Sequence, residues 1–177
     1  MVITFFPLSE NHCSLLLKWL EAPHVKAWWD QDVQWTPALI QEKYGTYVDG
    51  YKLENDSQKP LYAYIVLADQ LSIGYIQFYN AYDFRRSILL TNLPSSLAAL
   101  DLFIGDPSYL GKGLGSIVLK QFLEEHVHPL YETCFVDPNL HNIAAIKTYE
   151  NAGFKKIKII DYSGEIWMLR KINKLSK

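Results

Sequence analysis

The chain has 177 residues, of which 49% are hydrophobic and 20% charged. This length and composition predict one globular domain over residues 1–177, large enough to bury a full core. The formal net charge of -2 at pH 7 argues against a nucleic-acid-binding protein, and no apolar run reaches the length of a membrane-spanning helix.

The two cysteines and the first residues bear on the compartment. Cys13 and Cys134 form no Cys-x-x-Cys or zinc pattern, so a reduced chain is the simplest interpretation. The N-terminus MVITFFPLSE lacks the basic flank and the long apolar stretch of a signal peptide. We therefore expect a cytoplasmic protein without a metal site and without a membrane partner.

The first third of the chain predicts one strand followed by helices. Apolar and β-branched residues predict a strand over 2–6, and Ser9 begins a helix that reaches residue 20. A short helical piece follows in HVKAWWD. Thr-Pro at 36–37 is a strong helix start and predicts a helix to residue 47, and residues 50–59 are expected to form a loop.

The rest of the chain alternates strands and helices. LYAYIVLADQLSIGYIQFY predicts two strands joined by a tight turn near Asp69 and Gln70. Residues 80–96 show no period, and an excursion of this length in a compact domain is often functional. The elements expected after it are the strand LAALDLFI, a helix over 113–128, the strand ETCFV, a helix in NIAAIKTYENAGF, and a hairpin of KKIKIID and EIWMLRKI. This order predicts an α/β (α+β) fold with a mixed sheet of about seven strands, in which the fourth and fifth predicted strands are parallel.

A glycine-rich turn stands between the fourth predicted strand and the next helix. The stretch SYLGKGLGSIV, residues 108–118, has three glycines at alternate positions, Gly111, Gly113 and Gly115. Backbone N–H groups at such a helix start favour a phosphate. The P-loop spacing fails because five residues separate Gly105 from Gly111, and the dinucleotide fingerprint fails because Ser116 stands at its last glycine. A helix start that merely packs closely remains an alternative.

The glycine turn and a second block together resemble the GNAT superfamily of N-acyltransferases. The second block is NIAAIKTYENAGF, with Asn142, Ala145, Tyr149 and Gly153-Phe154 at the matching positions. The stretches HVKAWW, IGYIQFY, LDLFIGDPSYLGKGLG and FVDPNLHNIAAIKTYENAGF are similar to the aminoglycoside 6'-N-acetyltransferases within that superfamily. The likeness is weakest in residues 80–96, which in such enzymes contribute to substrate selection.

This resemblance implies a GNAT fold whose sheet is splayed between the fourth and fifth predicted strands. It also implies acetyl-CoA as co-substrate, transfer of acetyl to a primary amine such as the aminoglycoside 6'-amine, antibiotic resistance as the role, and a monomer or homodimer. The implied acetyl-CoA-binding residues are Leu102, Phe103, Ile104, Gly111, Lys112, Gly113, Leu114, Gly115, Ser116, Asn142 and Ala145. The implied substrate-binding residues are Trp28, Trp29, Asp30, Tyr75, Tyr79 and Asp137.

Asp101 and Tyr149 are the predicted catalytic residues. A carboxylate inside the apolar run LAALDLFI must be paired, exposed in a cleft or functional. The resemblance places Asp101 at an active-site carboxylate, which anchors the substrate cation and has some base character. Tyr149 matches the family's tyrosine and is expected to donate a hydrogen bond to the departing thiolate, because full proton donation by a phenol to a thiol is uphill by about 1.5 pKa units.

Several alternatives remain open from the sequence. Trp28, Trp29 and Tyr149 could be packing residues, and Asp137 before Pro138 could cap a helix. The acceptor could be a polyamine or a siderophore-type lysine derivative, although related siderophore enzymes tend to carry His at the position of Asp101. A CoA-binding regulatory module without catalysis is the alternative of another class.

Overall fold

A computed structural model of the chain describes residues 1–171. The strands in this range are β1 (Ile3–Pro7), β2 (Tyr51–Glu54), β3 (Ser57–Ala68), β4 (Leu71–Asn80), β5 (Leu97–Ile104), β6 (Thr133–Val136), β7 (Lys155–Ile160) and β8 (Glu165–Lys171). The α-helices are α1 (Cys13–Leu20), α2 (Pro23–Lys26), α3 (Pro37–Val48), α4 (Leu114–Phe122) and α5 (Ile143–Asn151). Short 3-10 helices span Glu10–His12 and Pro107–Tyr109, and a π-helical segment, Leu123–Val127, extends α4.

The sheet is mixed, as predicted, and it is open. Its strand order is β1-β3-β4-β5-β6-β8-β7, with β2 paired to β3. The fourth and fifth predicted strands are β5 and β6, and their parallel pairing is confirmed: Leu97, Ala98 and Ala99 lie opposite Thr133, Cys134 and Phe135. The β6–β8 and β7–β8 pairs are antiparallel. The register of β6 against β5 ends at Ala99, near the end of β6, whereas β5 continues to Ile104.

The structure has one strand more than the sequence predicts. The expected loop over 50–59 is wrong, because β2 pairs antiparallel with the beginning of β3 there. Asn55 and Asp56 form the two-residue turn, with φ of 48° and 60°, a conformation that Asn and Asp tolerate better than most residues. The polar sequence of this hairpin hides the strand. At the other end of the chain, Ile172 of the predicted last strand lies outside the described residues.

Other predicted boundaries are confirmed together with their physical causes. The side chain of Thr36 accepts a hydrogen bond from Leu39 N at 3.2 Å, so it caps α3, and Pro37 stands at the first helical position. Asp69 and Gln70 both have positive φ, 47° and 69°, as a two-residue hairpin turn requires. None of the helices formed by residues 1–171 combines the length and the apolar character needed to cross a membrane.

The chain divides into two compact units, and the first consists of residues 1–77 and 102–112. Its core contains fully buried residues of α1, α3, β3 and β4. An aromatic cluster is part of this core: the ring of Phe103 stacks on that of Tyr75, with centroids 5.5 Å apart, and Tyr44 meets Tyr75 edge to face. Gly105 leaves room for Trp19, because a Cβ there would lie 2.2 Å from the indole ring.

The second unit consists of residues 78–101 and those from 113 onward. One of its buried clusters contains Ala81, Leu97, Ala99, Phe135, Ile160 and Trp167. The excursion over 81–96 has no helix or strand, but Ile88, Leu90 and Leu93 pack against that cluster. The hydroxyl of Tyr82 also donates to the carbonyl of Pro94 at 2.6 Å. The excursion is therefore anchored at several points rather than projecting from the surface.

Candidate active site

The three glycines of the glycine-rich turn serve two different purposes. Gly111 and Gly113 have φ of 69° and 71°, and a Cβ built on either would meet nothing within 4 Å. Their backbone is therefore left-handed and faces open space, immediately before α4. At Gly115 a Cβ would lie 2.8 Å from Cγ2 of Thr148, so this glycine allows α4 to pack closely against α5. Close packing thus explains one of the three glycines.

The neighbouring residues fix the shape of the turn. Asp106 caps the 3-10 helix Pro107–Tyr109 by accepting from the backbone N–H of Ser108 at 2.9 Å. The hydroxyl of Ser116 donates to the carbonyl of Gly113 at 3.0 Å. Lys112 is exposed, and its ammonium lies 5.6 Å from the ring centroid of Tyr109. Leu114, also predicted to bind acetyl-CoA, has a buried side chain.

The second motif block forms α5. Asn142 is its N-cap and accepts from the backbone N–H of Ala145 at 3.1 Å. Gly153, with φ of 91°, follows the helix end. Asn142 and Ala145 therefore have a structural role at the helix start, and their predicted contact with acetyl-CoA stays a prediction.

The end of β5 carries the three strand residues predicted to lie along acetyl-CoA, Leu102, Phe103 and Ile104. The side chain of Phe103 is buried, and a Cβ at Gly74 would lie 2.5 Å from the Phe103 carbonyl oxygen, so only glycine permits this approach of β4. The carbonyl of Ile104 lies 3.0 Å from Nε2 of His24. Leu102 and Ile104 are partly exposed, and the predicted contact of this segment with acetyl-CoA stays a prediction.

Four predicted substrate-binding residues lie in the first unit. Trp28 is 48% exposed, whereas Trp29 is partly buried and meets the ring of Phe103 edge to face at 4.9 Å. Asp30 pairs with the ammonium of Lys43 at 2.7 Å. Tyr75 is 0% exposed, and its hydroxyl donates to Oε1 of Gln77 at 2.6 Å. Of these four, Trp28 alone presents a largely exposed ring, and Tyr75 presents none.

In the second unit the fold brings together predicted residues that are far apart in sequence. The hydroxyl of Tyr79 is hydrogen-bonded to the carboxylate of Asp101 and lies 3.5 Å from Nη2 of Arg86. Nη1 of Arg86 lies 2.7 Å from Oδ2 of Asp137. We call Tyr79, Arg86, Asp101 and Asp137 the polar cluster.

The surroundings of the polar cluster shift the pKa of its members. Burial, reinforced by the negative charges of Asp101 and Asp137, raises the pKa of Tyr79 well above its ordinary value, and Arg86 opposes this only in part. Burial alone would lower the pKa of Arg86, but Asp137 and Asp101 outweigh it and raise that pKa. Tyr79 is therefore a neutral phenol and Arg86 a permanent cation.

Tyr149 lies under the influence of the same carboxylates. Its side chain is 9% exposed, and its ring meets that of Phe154 at a centroid distance of 5.5 Å. Burial first, and then Asp101 and Asp137, raise the pKa of the Tyr149 phenol far above its ordinary value. The hydroxyl can thus donate a hydrogen bond, but it does not ionise in the physiological range.

Two polar residues in this region were not singled out by the sequence. Arg86 and Glu165 line, together with Asp137 and Trp167, a cavity of about 110 Å³. Burial and the nearby Asp137 raise the pKa of Glu165. The one signal for Arg86 was a pair of adjacent arginines within the long excursion. Within residues 1–171, no group of three or more His, Cys, Asp or Glu side chains is arranged to hold a metal ion.

Comparison with known proteins identifies the family. The model of the acetyltransferase (GNAT) domain matches residues 9–162. The chain belongs to the GNAT acetyltransferase family. The resemblance inferred from the glycine turn and the α5 block, the GNAT fold and the class of enzyme are thereby confirmed.

Relatives of this GNAT chain include antibiotic- and polyamine-modifying enzymes. It is 29% identical over 156 residues to aminoglycoside N(6')-acetyltransferase type 1 from Klebsiella pneumoniae, which covers 87% of the chain and 74% of that relative. It is 35% identical over 75 residues to spermine/spermidine N(1)-acetyltransferase from Bacillus subtilis, covering 41% of the chain and 49% of that enzyme. The crystal structure of aminoglycoside acetyltransferase AAC(6')-Ib in complex with coenzyme A and kanamycin matches with a TM-score of 0.80, 25% identity, and coverage of 96% and 95% of the two chains.

Proposed function

We propose that this GNAT chain, acting as one domain, transfers acetyl from acetyl-CoA to a primary amine of a cationic small molecule, with the 6'-amine of an aminoglycoside as the leading acceptor. The polar cluster carries this proposal, because it holds two carboxylates, Asp101 and Asp137, whose charges act on the buried Tyr149. Carboxylates attract an ammonium, and a neutral phenol can serve a departing thiolate. The aminoglycoside relatives noted above support the choice of acceptor.

The glycine-rich turn fits the pyrophosphate of acetyl-CoA. Gly111 and Gly113 present left-handed backbone to open space, so an anion can approach the N–H groups at the start of α4 without meeting a Cβ. The exposed Lys112 adds a positive charge there. In this proposal Leu102, Phe103 and Ile104 offer backbone groups to the pantetheine arm, and one such N–H polarises the thioester carbonyl.

Asp101 handles the ammonium of the acceptor. A primary ammonium has a pKa near 10, so it must lose a proton as its nitrogen attacks the acetyl carbon. The Asp101 carboxylate anchors the cation and receives that proton directly or through a water molecule. The hydrogen bond from Tyr79 holds the carboxylate in place.

Tyr149 assists the sulfur of CoA as the carbon–sulfur bond breaks. Its raised pKa makes full transfer of the phenolic proton costlier than it is for an ordinary tyrosine. A hydrogen bond to the developing thiolate stabilises the charge without that transfer. The ammonium loses two protons in becoming an amide: one passes to the thiolate to give the CoA thiol, and the other, received by Asp101, is released to water, so the protons balance over the reaction.

The other proposed acceptor contacts are Trp28, Trp29, Asp30 and Asp137. The structure bears on two points of this set. Asp30 and Asp137 are already paired, with Lys43 and Arg86 respectively. Tyr75 has no part in the proposed acceptor contacts, because its ring is buried in the aromatic cluster.

A polyamine is the second candidate acceptor. The similarity to spermine/spermidine N(1)-acetyltransferase favours it, although that similarity covers less than half of the chain. A polyamine also carries amines of the same pKa class, so the chemistry assigned to Asp101 and Tyr149 would serve it equally. The two acceptors must therefore be separated by assay.

The test is release of free CoA with kanamycin, spermidine, a lysine derivative and glucosamine as acceptors. We expect turnover with kanamycin, and an Asp101→Asn variant that still binds CoA but turns over at least about a hundredfold more slowly. Asp161→Asn, which alters an exposed carboxylate in the β7–β8 turn, is the matched control. Turnover of spermidine without any aminoglycoside would establish the second candidate, and CoA binding without turnover of any acceptor would indicate a regulatory module.

A cytoplasmic location belongs to the same proposal. Within the described residues, both Cys13 and Cys134 are free thiols. This agrees with a reducing compartment. As to assembly, we propose a monomer or a homodimer, which sedimentation of the purified chain would decide.

A further inference from the structure

The excursion over 80–96 carries two adjacent arginines with different surroundings. Arg85 is exposed, whereas the side chain of Arg86 is only 19% exposed. Arg86 pairs with Oδ2 of Asp137 at 2.7 Å, and its guanidinium carbon lies 5.1 Å from the ring centroid of Phe135. An arginine held between a carboxylate and an aromatic face has a defined position, unlike an arginine on a solvated surface.

This contact changes the charge that an acceptor meets. Three carboxyl groups lie in or near the polar cluster, those of Asp101, Asp137 and Glu165. Arg86 stays protonated at every physiological pH, so the Arg86–Asp137 pair is neutral as a whole. Asp137 therefore attracts an ammonium less strongly than an unpaired carboxylate at the same place would.

The arginine is not easily displaced by a substrate. Nε of Arg86 is buried and finds no hydrogen-bond partner among residues 1–171, so the guanidinium already depends on Asp137 for compensation. Removing one partner of this partly buried ion pair leaves the other charge uncompensated, which is unfavourable. Ile88 and Leu90, which follow closely in the chain, pack against a buried cluster and restrict movement of the excursion.

We propose that Arg86 is a specificity-determining residue for the acceptor: by holding Asp137 it lowers the negative charge offered to the substrate, and so favours acceptors with few ammonium groups over densely cationic ones. This inference rests on the proposed function, since it assumes that the acceptor amine meets the polar cluster. The inference predicts that Arg86 limits the affinity for polycations. The ion pair between Arg86 and Asp137 also holds the excursion in place.

The test compares Arg86→Gln with the wild type on a polycation, kanamycin, and on a monoamine, glucosamine. We expect the variant to lower the KM for kanamycin by about tenfold relative to that for glucosamine, which corresponds to about 1.4 kcal/mol. Arg85→Gln removes the same charge from an exposed position and is expected to keep the wild-type ratio of the two KM values. An unchanged ratio in Arg86→Gln, or the same gain in Arg85→Gln, overturns the proposal.

The double variant Arg86→Gln/Asp137→Asn separates charge from packing. Its two positions are neutral together, as in the wild type, so the KM ratio is expected to return towards the wild-type value. If Arg86→Gln does not fold, as judged by its thermal melt, Asp137→Asn alone is informative. It leaves Arg86 as an uncompensated cation, and kanamycin affinity must then fall more than glucosamine affinity for the proposal to stand.

Binding of kanamycin and glucosamine measured by calorimetry keeps the two proposals apart. A wild-type chain that acetylates no aminoglycoside contradicts the proposed function. Independently of turnover, tighter binding of kanamycin relative to glucosamine by Arg86→Gln supports the role of Arg86. The absence of any such gain contradicts it.

Discussion

Replacing Gly111 or Gly113 by alanine separates the two roles that a glycine-rich turn can have. Both residues have a left-handed φ near 70°, and in both cases a Cβ would point into open space. An L-residue in this conformation costs about 1–2 kcal/mol, and no steric clash is added. Since 1 kcal/mol lowers the Tm of a chain of this size by roughly 2–4 °C, each variant should melt roughly 2–8 °C below the wild type.

The effect on acetyl-CoA should exceed this loss of stability. If the pyrophosphate approaches the backbone of the turn, a Cβ at either glycine occupies the space of the ligand. We then expect calorimetry to give a Kd for CoA at least about tenfold higher, or about 1.4 kcal/mol of lost binding. Binding to CoA alone is the appropriate assay, because it does not depend on which amine is the acceptor.

Gly50→Ala is the matched control for both variants. Gly50 also has a positive φ, 84°, and open space around its Cβ position, but it lies at the start of the β2–β3 hairpin. It should lose similar stability and keep the wild-type Kd for CoA. Equal changes of Kd in all three variants, or none in any, would refute the assignment of this turn to the pyrophosphate.

Three further predictions concern single contacts. Tyr149→Phe should lower kcat about a hundredfold and leave the Kd for CoA unchanged, because the hydroxyl serves the thiolate; unchanged turnover would remove Tyr149 from the mechanism. Gly115→Ala should cost about 1–3 kcal/mol of stability by crowding Cγ2 of Thr148, and Thr148→Ser, which lacks that methyl group, should restore the melting temperature in the double variant. Burial and Arg170 lower the pKa of His128 below its ordinary value of 6.5, so the unfolded chain binds this proton more tightly than the folded chain does. The stability that His128 contributes is therefore present above about pH 6.5 and lost as the pH falls below it. The free energy of unfolding should fall less between about pH 7.5 and pH 5.5 in His128→Gln than in the wild type, and an equal fall would contradict the assignment.

The fold was largely predictable because local signals and tertiary contacts agree. Thr36 before Pro37 begins a helix by a hydrogen bond within the same turn, and the hairpin at Asp69 and Gln70 needs only two residues with positive φ. The β2–β3 hairpin escaped prediction because its turn residues, Asn55 and Asp56, are followed by polar residues that hide the alternation of a strand. A strand of this kind is stabilised by its partner rather than by its own pattern.

The candidate site was predictable only where a residue contradicts its local environment. Asp101 stands out because a carboxylate within an apolar strand is costly without a partner, and the fold supplies the hydrogen bond with Tyr79. Arg86 shows no such contradiction, since an arginine in an aperiodic polar segment is ordinary. Its partner Asp137 lies 51 residues further along the chain, and nothing in the sequence around either residue indicates the other.

The same reasoning explains why a count of acidic residues in the sequence overstates the net negative charge that these residues offer. Counting acidic residues would assign Asp30, Asp101 and Asp137 to a substrate with several ammonium groups. The structure neutralises Asp30 with Lys43 and Asp137 with Arg86, both at 2.7 Å. Asp101 differs from both in accepting a hydrogen bond from the neutral phenol of Tyr79. If these carboxylates meet the acceptor as proposed, its ammonium groups must compete with Lys43 for Asp30 and with Arg86 for Asp137.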